Sequence, residues 1–134
     1  MISKAQIKDL VYQTNGAAIE VHKILGPGLL ESVYHKCLTH ELKLRQIKFQ
    51  SEMVIPIEYK GLEFDTSLKA DLLIENCLLV ELKSVSEVLP LHETQLLTYM
   101  KLLKASIGLM INFNVTHIFN EGQKTYVNEL YRYL

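Results

Sequence analysis

The chain has 134 residues, 49% hydrophobic and 22% charged, with 14 basic and 15 acidic side chains for a formal net charge of −1. That length and balance suit one domain over 1–134 with a real core, and they argue against intrinsic disorder. No apolar run approaches the ~20 residues that a membrane-spanning helix needs, and the opening MISKAQIKDL lacks the apolar segment of a secretory signal, so a cytoplasmic protein without a membrane partner is expected.

Over residues 3–25, apolar positions at Ile7, Leu10, Val11, Ala17, Ala18, Val21, Ile24 and Leu25 follow helical spacing, with Gly16 as a soft interruption. Gly26-Pro27-Gly28 then breaks the helix, because proline fixes φ and glycine permits unusual turns. A second helix is expected over about 29–46, with Leu30, Val33, Tyr34, Cys37, Leu38, Glu41 and Leu42 on one face. The pattern changes near Lys48: Met53, Ile55, Ile57 and Tyr59 alternate with other residues at the period of a strand, and Pro56 marks an edge or a bulge. Lys60-Gly61 reads as a turn, followed by a short extended piece at 62–64. Residues 68–74 and 78–84 read as a β-hairpin. After Pro90 comes a third helix, about 91–104, then a continuous apolar run at 107–112 suited to a buried strand. Residues 116–119 are a further strand candidate, and 124–134 stay open between strand and helix. The order implies an α/β fold with a mixed sheet flanked by helices.

Two very apolar strands carry charges, Asp71 in one and Glu81 with Lys83 in the other. Such charges need a partner, a metal or an exit to solvent. Glu81 and Lys83, two apart, project from one face. Whether Asp71 joins them depends on register. A two-residue loop of Glu75-Asn76 would set Asp71 opposite Val80, and a three-residue loop through Cys77 would set it opposite Glu81. Opposed carboxylates repel. A hard divalent cation such as Mg²⁺ or Mn²⁺ turns that repulsion into coordination, with Lys83 placed to assist water or stabilise phosphoryl charge.

Asp71, nine intervening residues and Glu81-Leu82-Lys83 resemble the PD-(D/E)XK nuclease signature. Gly28-Leu29-Leu30-Glu31-Ser32-Val33-Tyr34 resembles the motif of the GxxExxY protein family, a branch of that superfamily. Residues 21–28, 95–99 and 109–113 support the resemblance, which extends over roughly 5–115. One departure is Ala70, where the superfamily signature has proline before the acid. The resemblance implies a restriction-endonuclease-like core and metal-dependent cleavage of nucleic acid, with DNA as the expected substrate. It matches Glu31 to a helix carboxylate completing the site, Asp71 and Glu81 to the metal ligands, and Lys83 to the catalytic lysine. Gln95 and Tyr99, one helical turn apart, match an additional helix motif of related nucleases.

Each residue also has a plainer reading. Glu31 is favoured in any first helical turn by the helix dipole, Asp71, Glu81 and Lys83 can be a surface ion cluster, and Gln95, Tyr99 and Tyr34 can serve packing. Among His22, His35, His40, His92 and His117 no pair has i, i+4 spacing, and no C-x-x-C is present, which weighs against structural zinc. Cys37 and Cys77 read as reduced, partly buried thiols. The alternative function is a catalytically inactive nuclease-like module docking nucleic acid or a protein. Near-neutral charge and the absence of a separate recognition domain favour it; a third possibility is a subunit whose protein partner, or a second copy, supplies the grip on DNA.

Overall fold

A computed structural model describes residues 2–134. The first helix, α1, runs from Lys4 to Leu25 without a break at Gly16. Its start is fixed by a capping box in which the Ser3 hydroxyl accepts the Gln6 N–H and the Gln6 amide oxygen accepts the Ser3 N–H. Gly26 and Gly28 take φ of 74° and 95°, values that favour glycine, and turn the chain into α2, Glu31–Leu44. The buried face of α2 is narrower than its spacing suggests. Tyr34, Leu38 and Leu42 are buried, whereas Leu30 and Val33 are exposed.

Strand β1 (Phe49–Tyr59) pairs antiparallel with β2 (Leu62–Ile74) around Lys60-Gly61, both at positive φ as a tight two-residue hairpin requires. The extended pieces expected at 62–64 and 68–74 are therefore one strand. Its register shifts between Val54 and Pro56, so Pro56 does sit at a bulge on an edge strand. β3 (Leu78–Lys83) pairs antiparallel with β2, with Ile74 opposite Leu78. Helix α3 (Pro90–Leu103) then crosses to β4 (Ile107–Asn112), parallel to β3, and β5 (Gln123–Val127) closes the sheet antiparallel to β4. The sheet order is β1-β2-β3-β4-β5. The strand expected at 116–119 does not form. That segment is a bend leading into one π-helical turn, Ile118–Gly122, with Ile118 buried in the core. The ambiguous tail resolves into β5 followed by a short helix, α4 (Glu129–Arg132).

The sheet is covered on both faces, giving an α/β core with a mixed sheet flanked by helices. One cluster joins α1 and α2 to Leu72, Ile74, Leu78, Val80 and Leu82. The other joins Leu96, Tyr99 and Met100 of α3 to Leu73, Leu79 and Met110. Every residue of β4 is buried, as expected of a strand covered on both sides. Among the described residues, no helix is long and apolar enough to cross a membrane.

Candidate metal centre

The β2–β3 loop is Glu75-Asn76-Cys77, with Glu75 and Asn76 at positive φ. Of the two registers open in the sequence, this three-residue loop realises the one that sets Asp71 opposite Glu81. The backbone ladder stops at Leu72–Val80. Beyond it the two acids replace the missing rungs. Asp71 Oδ2 accepts the Leu82 N–H at 2.7 Å, and Glu81 Oε1 accepts the Asp71 N–H at 3.2 Å. Each carboxylate is thus clasped by the other strand's backbone.

Glu81 is buried at 6% exposure, while Asp71 and Lys83 are half-buried. Glu81 shares its face of β3 with Leu79, which packs under α3. Burial, the Asp71 charge and a side-chain hydrogen bond to Asp71 push the Glu81 carboxyl up to about 9, against a weaker pull from Lys83. It therefore keeps its proton at neutral pH. Tyr99 on α3 is raised by burial and then by the charges of Glu81 and Asp71, which places it beside the pair. Gln95, one turn earlier, is exposed.

Glu31 arrives from the opposite side. The Tyr34 hydroxyl donates to Gly26 O at 2.5 Å and accepts the Leu29 N–H at 3.1 Å, and its ring stacks on Phe113 at 4.4 Å. Ser84, next to Lys83, donates to Leu29 O at 2.5 Å. These bonds tie the loop that leads into α2, and so the start of the helix at Glu31, to the end of β3. The Glu31 carboxyl is raised by desolvation first and by Asp71 second, while Lys83 and His35 pull it down. Asp71 therefore acts electrostatically on Glu31, Glu81 and Tyr99, and Lys83 on Glu31 and Glu81. Among the described residues, however, no three His, Cys, Asp or Glu side chains converge closely enough to hold a metal ion. The donor chemistry of the Asp71–Glu81 pair suits a hard cation, which would take the place of the retained proton. Glu31 does not complete a ready-made set.

Sequence reasoning gave no role to Ser84 or Asn112. Asn112 is buried at the end of β4, where its Oδ1 accepts the N–H groups of Val85 and Asn114 and its Nδ2 donates to Val85 O. Together with the Phe113 N–H to Lys83 O bond at 2.9 Å, it fixes the chain just past Lys83. A polar residue ending an otherwise apolar strand was the available signal. Three of the five histidines serve as fasteners. His22 Nε2 bonds Val115 O, His92 Nδ1 accepts the Leu89 N–H at the start of α3, and His35 Nε2 meets Ser51 Oγ. Cys37 and Cys77 are both free thiols.

A strand pair whose ladder ends at two opposed acids, with a lysine two residues on and a helix carboxylate within electrostatic reach, fits a nuclease-type α/β core. Residues 8–125 match the family model described as PD-(D/E)XK nuclease superfamily; the chain belongs to that superfamily. Curated proteins give no match. Among solved structures, the crystal structure of SSO0001 is similar, at 24% sequence identity and a TM-score of 0.49, over 73% of this chain and 49% of that one. The chain spans about half the length of that solved protein.

Proposed function

We propose that the chain acts as a nuclease-fold module that docks nucleic acid, DNA in the first instance, at the splayed end of β2 and β3. The observation that carries this reading is the closed state of the acid pair. Asp71 and Glu81 are clasped across the strands, and burial beside Asp71 pushes the Glu81 carboxyl upward toward its protonated form. As arranged, the pair joins strands instead of offering its oxygens to a common ion. Lys83 is then the cationic group at the site, and Gln95 an exposed amide on the neighbouring helix. Superfamily membership supports a nucleic-acid partner, and the free thiols fit a reducing, cytoplasmic setting.

A second reading, hydrolysis of a phosphodiester, is favoured by the electrostatic reach of Asp71 to Glu31, Glu81 and Tyr99 and of Lys83 to Glu31 and Glu81. Asp71 and Glu81 would hold Mg²⁺ or Mn²⁺, with Glu31 completing the set after a shift of the start of α2. The ion supplies Lewis acidity and a water of lowered pKa when bound. Within the chain, Glu81 gives up its proton, Lys83 meets the charge developing on the phosphoryl oxygens, and Tyr99 and Gln95 orient the substrate.

One set of measurements separates the two. DNA binding is followed by fluorescence anisotropy without metal, melting temperature against millimolar Mn²⁺, and cleavage with Mn²⁺ present. The docking reading expects binding that Lys83→Ala weakens, no Mn²⁺ stabilisation and no cleavage. A rise in melting temperature with Mn²⁺, and cleavage abolished by Asp71→Asn, would establish hydrolysis instead. Failure of the wild-type chain to bind DNA at all sinks the first reading.

A further inference from the structure

A cleft of about 310 Å³ lies between the last turns of α1 and the chain that follows β4. It sits past the carboxyl ends of the parallel strands β3 and β4, the side of an open α/β sheet on which ligands gather. Ile19, His22 and Lys23, at three- and four-residue steps on one flank of α1, form one wall, and His117, Phe119 and Asn120 form the other. His22 Nε2 joins the walls through its bond to Val115 O at 2.8 Å. Phe119 is 62% exposed and belongs to neither core cluster. Its backbone is nevertheless fixed, because Ile118 beside it is buried and a side chain at Gly122 would strike Asn112 O. A braced turn thus presents an aromatic ring to solvent.

The path from this cleft to the β3 end is short. The Phe113 N–H bonds Lys83 O, and Val115, which His22 holds, is two residues further on, at most about 7 Å of chain. Asn112 braces both places, bonding Val85 beside the β3 end and lying against Gly122 of the turn. Charge suits a polyanion. Among the described residues the ion pairs are Glu41–Arg45 and Glu93–Lys124, so Lys23 has no ionic partner there. None of the described residues lining the cleft is a carboxylate, and Glu121 on the same turn folds back to accept the His117 N–H. An exposed aromatic face beside an unpaired cation is how sequence-tolerant proteins hold unpaired nucleotides: bases stack on the ring while cations follow the backbone. A duplex keeps its bases stacked on one another and leaves such a ring unused. We infer that the cleft receives an unpaired DNA strand running on from the duplex held at Lys83, with a base on Phe119 and a phosphate at Lys23. The inference rests on the docking reading for the duplex and makes a duplex with a single-stranded extension the preferred partner.

Fluorescence anisotropy without metal compares a blunt duplex with the same duplex carrying an unpaired tail of about six thymidines on its 5′ or its 3′ end. One of the tails is expected to tighten binding roughly tenfold, the effect of a single stacked base. Phe119→Ala is expected to bring that probe to within about twofold of the blunt one, with blunt-duplex binding and circular dichroism unchanged. Lys23→Ala is expected to make the salt slope shallower by about 0.7 on the tailed probe alone. The chain has no tryptophan, so Phe119→Trp supplies a single reporter, whose emission the tailed probe is expected to quench and the blunt duplex to leave alone. Lys83-dependent binding of the blunt duplex with no gain from either tail overturns this inference and leaves the docking reading standing. A gain that Phe119→Ala leaves intact does the same. Failure to bind any of the probes overturns both.

Discussion

Glu81 is where the site's chemistry and the protein's stability oppose each other. Between its ordinary value of 4.5 and about 9, Glu81 holds in the folded state a proton that the unfolded chain releases. The folded state binds more protons in that window, so stability from this group is fully present below about pH 4.5 and is lost as pH rises toward 9. Glu31, also raised, acts in the same direction. Glu93, held down by Lys124 and Tyr126, acts in the opposite sense and only below its ordinary value. Denaturant unfolding is therefore expected to show a loss on the order of 2–4 kcal/mol between about pH 5.5 and 8.5. Glu81→Gln keeps an acceptor for the Asp71 N–H and offers Asp71 a neutral donor. It is expected to flatten that slope and raise the melting temperature at pH 8, the gain typical of relieving a strained functional site. A profile as steep as the wild type's in Glu81→Gln would show that the pH dependence arises elsewhere. Tyr34 poses the opposite case, a residue whose polar atom is fully employed. Tyr34→Phe leaves Gly26 O and Leu29 N–H without their partner and is expected to cost about 1–3 kcal/mol. A shifted urea midpoint with unchanged m-value is the readout.

At the scale of elements, α3 must lie close to the sheet for Tyr99 to reach the acid pair, and Gly108 permits that approach. A Cβ at Gly108 would come 2.6 Å from Met100 Sδ and 3.2 Å from Leu96 Cδ1. Methionine yields easily, so Gly108→Ala is expected to cost about 1 kcal/mol and Gly108→Val about 2–3 kcal/mol. In the Val variant α3 lifts, and the upward shift of the Tyr99 hydroxyl relaxes, which a spectrophotometric titration would detect. Much of this arrangement was legible beforehand because its determinants are local. Alternation gave β1, the two-glycine break gave the turn into α2, and an odd loop was one of two registers written into Glu75-Asn76-Cys77. What escaped depends on residues far apart in sequence. Thr116-His117-Ile118-Phe119 has strand-like composition, yet Ile118 is drawn into the α1-side core and Gly122 lies against the Asn112 backbone, where a Cβ would come within 2.4 Å. Ser84 meets Leu29 across 55 positions and Asn112 meets Val85 across 27, contacts that no periodicity encodes. Motif spacing likewise linked Glu31 with Asp71 and Glu81 without revealing that, among the described residues, no three such side chains gather closely enough for an ion.

For the whole molecule, charge sets how DNA would be held on the proposed docking reading. A net charge of −1, with acids clustered on the β1–β2 hairpin, leaves little long-range attraction. The number of phosphates neutralised should therefore be small. Binding falls with salt at a logarithmic slope of about −0.9 per phosphate contacted on duplex DNA, so one lysine at the β3 end and a few surrounding cations predict a slope of roughly −2 to −3. A basic DNA-gripping domain with six or more contacts would show a slope of about −5 or steeper. Anisotropy titrations of a short duplex from about 50 to 200 mM salt give the slope directly. Lys83→Ala is expected to make it shallower by about one unit and to weaken binding equally across sequences, because a phosphate contact carries no base information. A slope beyond about −5, or one that Lys83→Ala leaves untouched, would move the nucleic-acid contact away from the splayed strand pair to a surface built from other cations.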